Sequence, residues 1–273
     1  FPGKPTESVQ PVQTEVGTVE MHTLSYSNAD IALILGYSEY PEVFIRVRPA
    51  DSLLTNARKG AVSNVHGKLV LEKPIQYGTF PGREIHIRVP GRAGLLRARY
   101  YLVGNRLCQM IVAGPDSVAL GGVGNRFLDS FRLKEGAGDF PTERLLKALG
   151  YTYELNENRQ YRLVINFDDG RSQVIMVTPT MTLFDSRSAY DVWSGIMTYQ
   201  GTLSPEVADS LLVRNGEVDI GSYQSLPVEE GKLLVFSSKV TGEQTREGFR
   251  NLLLKVASEA DEMEKHLTGE DEY

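Results

Sequence analysis

The chain has 273 residues, with 29 Lys and Arg against 35 Asp and Glu, 41% apolar residues and a single cysteine. Those proportions describe a globular chain long enough for two cores, and they exclude a collagen-like, a disordered or a disulfide-framework protein. The longest apolar run, residues 31–36, is far shorter than the roughly 18 residues that span a bilayer, so no transmembrane segment is expected.

The charge is divided unevenly. Up to Glu135 there are 16 basic and 12 acidic residues; the remainder carries 13 and 23. The change coincides with Lys134-Glu135-Gly136-Ala137-Gly138, which places an exposed linker at 134–140 between a domain at 1–133 and a second at 141–273. The sequence begins Phe1-Pro2-Gly3, with neither an initiator Met nor a signal peptide. A removed leader and a trimmed sequence both remain open, and with them a cytoplasmic or an exported location.

In the first half, residues 18–25 alternate Val19, Met21 and Thr23 with Glu20, His22 and Leu24, the pattern of a half-buried strand. Residues 29–36 read as a central strand covered on both faces. Pro49-Ala50-Asp51 opens a helix in which Leu53, Leu54, Ala57, Ala61, Val62 and Val65 recur at helical spacing, with Gly67 at its C-terminal cap. Strands follow at 68–75, 84–89, 95–103 and 106–113. In 84–89, Ile85, Ile87 and Val89 face inward, leaving Glu84, His86 and Arg88 outward. Residues 117–131 supply a helix packed through Val118, Phe127, Leu128 and Phe131. Within it, Gly121-Gly122-Val123-Gly124-Asn125 lacks the Lys-Ser/Thr of a P-loop and reads as a flexible entry.

Arg83, Arg88, Arg97, Arg99 and Arg106 fall on adjacent strands and read as a row, with Arg97 and Arg99 on the same face as Tyr101. A basic sheet face with an aromatic binds an acidic partner or nucleic acid, and a plain solvated face has the same composition. Arg83, Arg88, Arg97, Arg99 and Tyr101 are therefore partner-binding candidates. The expected partner is a protein or peptide, and nucleic acid is not expected. Cys108, between Leu107 and Met110, reads as a buried core thiol.

Phe1-Pro2-Gly3-Lys4-Pro5, Phe80-Pro81-Gly82-Arg83-Glu84, the run from Arg97 to Leu107 and the closing Phe127-Leu128-Asp129-Ser130-Phe131 resemble the PsbP-like and DcrB-like proteins. That resemblance implies an α/β/α sandwich around an antiparallel sheet over 1–133. It also implies an extrinsic, adaptor or chaperone-like role, with no catalytic motif carried over.

In the second half, Asp139-Phe140-Pro141 opens a helix packed through Leu145, Leu146 and Leu149 and closed by Gly150. Strands are expected at 151–155, 160–167 and 173–177, with a turn at Asp168-Asp169-Gly170. An irregular stretch containing Trp193 follows. Ser204-Pro205-Glu206 opens a second helix with Val207, Ala208, Leu211 and Leu212 as its packing stripe, and strands at 218–226 and 233–239 come next. The last helix, capped by Thr245, is the clearest element. Phe249, Leu252, Leu253, Val256, Ala260, Met263 and Leu267 form its stripe, and Glu259, Asp261, Glu262 and Glu264 its wet side. Its length implies overhang beyond the sheet, which makes Met263 and Leu267 candidates for binding a partner or a second copy. The acidic tail Glu270-Asp271-Glu272 reads as solvated.

Leu146-x-x-Leu149-Gly150-Tyr151, Asn166-Phe167-Asp168-Asp169-Gly170-Arg171 and the order helix, three strands, helix, two strands, long helix resemble the class I type III secretion chaperones and their YbjN-like relatives over 141–267. The resemblance implies binding of peptide segments along an exposed sheet face or edge, with a homodimer through this domain among the expectations.

No catalytic residue, metal site or cofactor is assigned. Asp168-Asp169 sit in a turn that favours Asp for backbone reasons. His22, His66, His86 and His266 lack metal-ligand spacing, and no G-x-S-x-G elbow is present. The fold class that follows is α+β, two domains each built of a mainly antiparallel sheet packed with helices. The expected function is non-enzymatic binding of a protein or peptide as a chaperone-like protein or adaptor. The alternative is an extrinsic subunit docking on a larger, membrane-associated or soluble assembly.

Overall fold

The structure, a computed structural model, describes residues 1–91, 94–181, 188–241 and 244–273. Residues 92–93, between the expected strands at 84–89 and 95–103, lie outside the described residues. The fold is α+β, and the chain divides into two compact units, Phe1–Phe140 and Pro141–Tyr273, each with its own antiparallel sheet.

In the first unit the strands are β1 (Thr6–Thr14), β2 (Gly17–Ser27), β3 (Ala32–Glu39), β4 (Lys68–Tyr77), β5 (Phe80–Arg88), β6 (Leu95–Val103) and β7 (Arg106–Gly114). They form one sheet in the order β1-β2-β3-β7-β6-β5-β4. Helices α1 (Glu42–Val47) and α2 (Ala50–Asn64) accompany one face; α3 (Asp116–Ala119) and α4 (Gly122–Leu128) accompany the other. Period-two alternation sorts the core accordingly. Ile85, Ile87, Ala98 and Tyr100 meet Leu54 of α2, whereas Leu95, Met110 and Val112 meet Ala119, Phe127 and Leu128. The expected single helix over 117–131 is two short helices. Close packing at their corner needs glycine, because a Cβ on Gly124 would lie 2.3 Å from the Ala119 carbonyl oxygen.

β1 and α1 gave no signal in the sequence. β1 is a polar edge strand containing Pro11, a residue suited to an edge because it donates no ladder bond. α2 ends in a Schellman motif: Gly67 N–H donates to Val62 O and His66 N–H to Ser63 O. His66, at φ 49°, takes the left-handed position expected of Gly67. Gly67 is needed for space, since a Cβ there would lie 2.3 Å from Ile87 Cγ2.

Residues 134–140 do not form an exposed linker throughout. Lys134, Glu135 and Gly136 are exposed, but Ala137 packs by Tyr101, Val103 and Cys108. Phe140 lies under the Arg46 guanidinium at 4.2 Å and against the Phe44 and Leu53 cluster.

The second unit runs α5 (Pro141–Leu149), β8 (Glu154–Leu155), β9 (Tyr161–Asn166), β10 (Ser172–Met181), β11 (Ser188–Tyr199), α6 (Pro205–Glu217), β12 (Ser222–Val228), β13 (Gly231–Thr241) and α7 (Arg246–Leu267). The sheet order is β12-β13-β11-β10-β9-β8. Four strands, not three, therefore follow α5. The part of the irregular stretch around Trp193 is β11, which lies inside the sheet between β10 and β13; residues 182–187 lie outside the described residues. Caps form as the sequence implies: Ser204 Oγ accepts from Val207 N–H and Thr245 Oγ1 from Gly248 N–H. One core holds Leu146, Tyr161, Ile175, Val192, Phe236 and the α7 stripe.

α7 lies over this sheet without the expected overhang. Ala260 is fully buried, Met263 is 9% exposed, and Leu267 packs on the same cluster. Met263 therefore belongs to the core, and Leu267, half-buried, packs at its margin. Among the described residues of this unit the largest apolar exposure is on α6, where Leu212, expected to pack, is 70% exposed beside exposed Val213.

Candidate functional site

The arginines of the first sheet do not form one row. Arg83 shares the parity of Ile85 and Ile87 and lies on the α2 face. There it pairs with Asp51, donates to Glu72 at 2.6 Å and donates to Thr55 at 3.0 Å. Arg88, Arg97, Arg99 and Tyr101 lie on the opposite face, beneath α3, α4 and Phe131. Arg88 pairs with Asp116. Tyr101 stacks on Phe131 at 5.2 Å. Arg106 pairs with Glu39.

Glu84, expected in solvent, is the centre of this face and is 1% exposed. It accepts from Arg99 Nε at 2.6 Å and Arg97 Nε at 3.1 Å, with His86 Nε2 at 3.2 Å and Lys73 Nζ at 3.5 Å. Arg97 donates onward to Asn125 Oδ1 at 2.7 Å and Arg99 to Asp129 Oδ1 at 2.7 Å. Burial pushes the Glu84 carboxyl up, but the hydrogen bonds from Arg99 and Arg97 and the Arg97 charge outweigh it and hold it at about 2. The glycine-rich run thus delivers Asn125 to a buried ion network. The guanidinium groups are engaged within their own unit, and the single row expected of them is divided between two faces of the sheet. Cys108 is buried, and burial raises its thiol to about 11, far from thiolate chemistry.

α7 carries two further buried carboxylates where solvated ones were expected. Glu259 accepts from Lys255 at 2.7 Å, from Tyr223 Oη at 3.1 Å and from Arg214 at 3.2 Å, which ties α6 and β12 to α7. Glu264 is fully buried and accepts from Gln173 Nε2 at 2.6 Å, Arg171 Nη2 at 3.4 Å and the Glu272 N–H at 2.7 Å. Burial raises its pKa, with the Glu272 N–H and the Arg171 charge opposing. The acidic tail folds back here: Ser172 N–H donates to Asp271 Oδ1 and Val174 N–H to Tyr273 O. Asp261, Glu264 and Asp271 converge as a cation site would. The cation among them is the Arg171 guanidinium, 2.5 Å from Asp261 and 3.9 Å from Asp271. Asp169, part of the turn pair, accepts from Arg171 N–H at 3.1 Å, a local backbone role.

Among the described residues, one concavity of about 440 Å³ lies between α6 and the end of α7, lined by Arg214, Tyr223, Glu262, Met263 and His266, and three others stand apart from these ion networks. One, of about 610 Å³, lies at the end of the first sheet beside the α2 terminus, with Asp30 and His66 as its ionisable groups. The other two belong to the second unit and share Gly150 and Tyr151. One, about 660 Å³, is lined also by Leu149, Arg246, Glu247 and Arg250. The other, about 550 Å³, runs along residues 162–166, with Leu254 on its far side. Arg246, Arg250 and Leu254 are four apart and form one row on α7, the two arginines at the concavity of about 660 Å³ and Leu254 at the trench of about 550 Å³.

The trench opens onto an incomplete sheet edge. β8 pairs only with Tyr161 and Arg162. Phe167 N–H donates inward to Arg171 O, and Gln160 O accepts outward from Asn156 N–H. By alternation the backbone groups of Val164 and Asn166 point outward, beyond the reach of β8. Val164 is 41% exposed. The sequence shows the alternation of β9 but not that its neighbour stops after two residues.

No protein family, no curated protein and no solved structure matches the chain.

Proposed function

We propose that the protein is a non-enzymatic, chaperone-like or adaptor protein that binds an extended segment of a partner, with the second unit as the binding module. The observation that carries this reading is the unpaired β9 edge at Val164 and Asn166 beside a trench long enough for several extended residues. An added strand gains backbone hydrogen bonds from the edge and side-chain contacts at alternate positions from the trench. The resemblance of residues 1–133 to PsbP-like and DcrB-like proteins and of 141–267 to type III secretion chaperones points the same way. The alternative, an extrinsic subunit docking through a flat charged face, has lost the arginine row that was to supply the face, because those arginines pair within the first unit.

The test is selection of displayed random peptides on the full chain and on Val164→Pro. Proline removes an outward N–H while leaving the β9–β10 ladder bonds intact, a substitution edge strands tolerate. The expected result is enrichment of segments with period-two alternation that Val164→Pro no longer retains. Enrichment indifferent to Val164→Pro would overturn the edge as the binding site.

A further inference from the structure

The concavity between α6 and the end of α7 has Met263 and Tyr223 as its buried floor and Val213 on its wall. Val213 is 57% exposed, an apolar side chain left in water at the margin of a core. Carboxylates surround it. Glu217, one turn beyond Val213 on α6, and Glu262 on α7 line the concavity, and Asp209 stands one turn before Val213 on the same row of α6. Arg214 is the one guanidinium that lines the site, and three carboxylates share it: Glu259 at 3.2 Å, Glu262 at 3.3 Å and Glu217 at 3.6 Å. Lys255 is committed to Glu259 at 2.7 Å. Lys265, three residues past Glu262, does not line the concavity, and His266 does. Arg214 and Lys255 thus meet Asp209, Glu217, Glu259 and Glu262, so the apolar floor lies inside a rim of net negative charge.

The backbone around this concavity is already satisfied. Both walls are helices, bonded internally. Between them, Tyr223 on the β12 edge is taken by Asn215, whose Oδ1 accepts from Tyr223 N–H at 2.6 Å and whose Nδ2 donates to Tyr223 O at 3.4 Å. Farther along that edge Pro227 offers no N–H. An extended segment would find no ladder to join here, and its own backbone groups would lose water without replacement. A helix satisfies its backbone internally and brings only side chains. We infer that this concavity docks an amphipathic basic helix of a partner protein. One of its apolar side chains enters between Val213 and Met263, and Lys or Arg one turn to either side meets Asp209, Glu217 and Glu262. The flexible thioether of Met263 adapts to the side chain that enters. This surface is separate from the β9 edge and does not depend on strand addition there.

The experiment measures binding of labelled peptides of about 18 residues to the full chain by fluorescence anisotropy. One peptide carries Leu at helical spacing with Lys on its flanks, a second has Glu in place of Lys, and a third is the Lys peptide with prolines at its centre, which break the helix. The expected result is binding of the Lys helix, with the other two about tenfold weaker or more, and with the Lys helix weakening as salt rises from about 0.05 M to about 0.5 M. Glu217→Gln with Glu262→Gln should weaken the Lys helix about threefold to tenfold. Both carboxylates are exposed and Arg214 keeps Glu259, so that variant retains its fold. Val213→Ser, also at an exposed position, should weaken the Lys helix by a similar factor. Equal binding of the Lys and Glu helices would overturn the basic preference, and equal binding of the Lys helix and the proline peptide would overturn the helical one. Binding of the Lys helix that neither variant changes would overturn the assignment to this concavity, and so would its failure to bind at all. A concentration-dependent dimer of the full chain that Val213→Ser abolishes would replace the partner helix with a second copy.

Discussion

Glu84 accepts a 2.6 Å hydrogen bond from Arg99 at a position where both side chains were expected in water. The two are covered because α3 and α4 fold over that face of the sheet and convert outward strand positions into interior ones.

The covered pair sets an acid response for the first unit. The folded-state pKa of Glu84 is held at about 2, below the ordinary carboxyl value. Its contribution is therefore fully present above the unfolded pKa and is lost as pH falls from there through about 2. At about 1.4 kcal/mol per unit, the loss is on the order of 3 kcal/mol. Glu84→Gln should flatten this part of the pH profile and destabilise the protein at neutral pH by leaving Arg97 and Arg99 short of a counter-charge. Urea denaturation at pH 7 and at pH 3 measures both, and parallel profiles for the two proteins would contradict the assignment.

His66 holds a left-handed backbone position that glycine occupies without cost. His66→Gly should stabilise the first unit by about 0.5–1 kcal/mol. Gly67→Ala should destabilise it, because the added carbon meets Ile87. Thermal melts of the two variants should move in opposite directions.

The α7 stripe is core as far as Met263. Leu253→Ala and Met263→Ala should each cost about 2–5 kcal/mol, whereas Leu212→Ala on exposed α6 should stay within about 0.5 kcal/mol. A Met263→Ala melt like that of Leu212→Ala would return Met263 to the surface.

The tail is a structural strap. Removing residues 270–273 withdraws acceptors from the N–H groups of Ser172 and Val174 and a donor from buried Glu264. The second unit should lose about 1–3 kcal/mol. Hydrogen exchange should report faster exchange at Ser172 and Val174, and unchanged rates there would show that the tail carries no load.

Reading the sequence worked where the signal was local. The helices at 50–64, 141–149 and 246–267 were legible because apolar spacing, caps and terminal glycines act within a few residues of one another. Thr245 and Ser204 cap as expected for that reason. The candidate arginines illustrate the limit. The parity of Arg83 against Arg88 already puts them on opposite faces of one strand, but the presence of α3 and α4 above the second face depends on how the chain returns.

What the sequence by itself determined is the α+β class, the two-part charge division and most helix and strand positions, since these follow from periodicity and turn chemistry along the chain. Burial of Glu84, Glu259 and Glu264, the core role of Met263, the fold-back of residues 137–140 and of the tail, and the open edge at Val164 were decided only by tertiary structure. Each depends on a partner far away in sequence. A carboxylate reads as a surface residue until a distant arginine lies close enough to offset its desolvation, and a strand edge is open or closed only by where its neighbour stops.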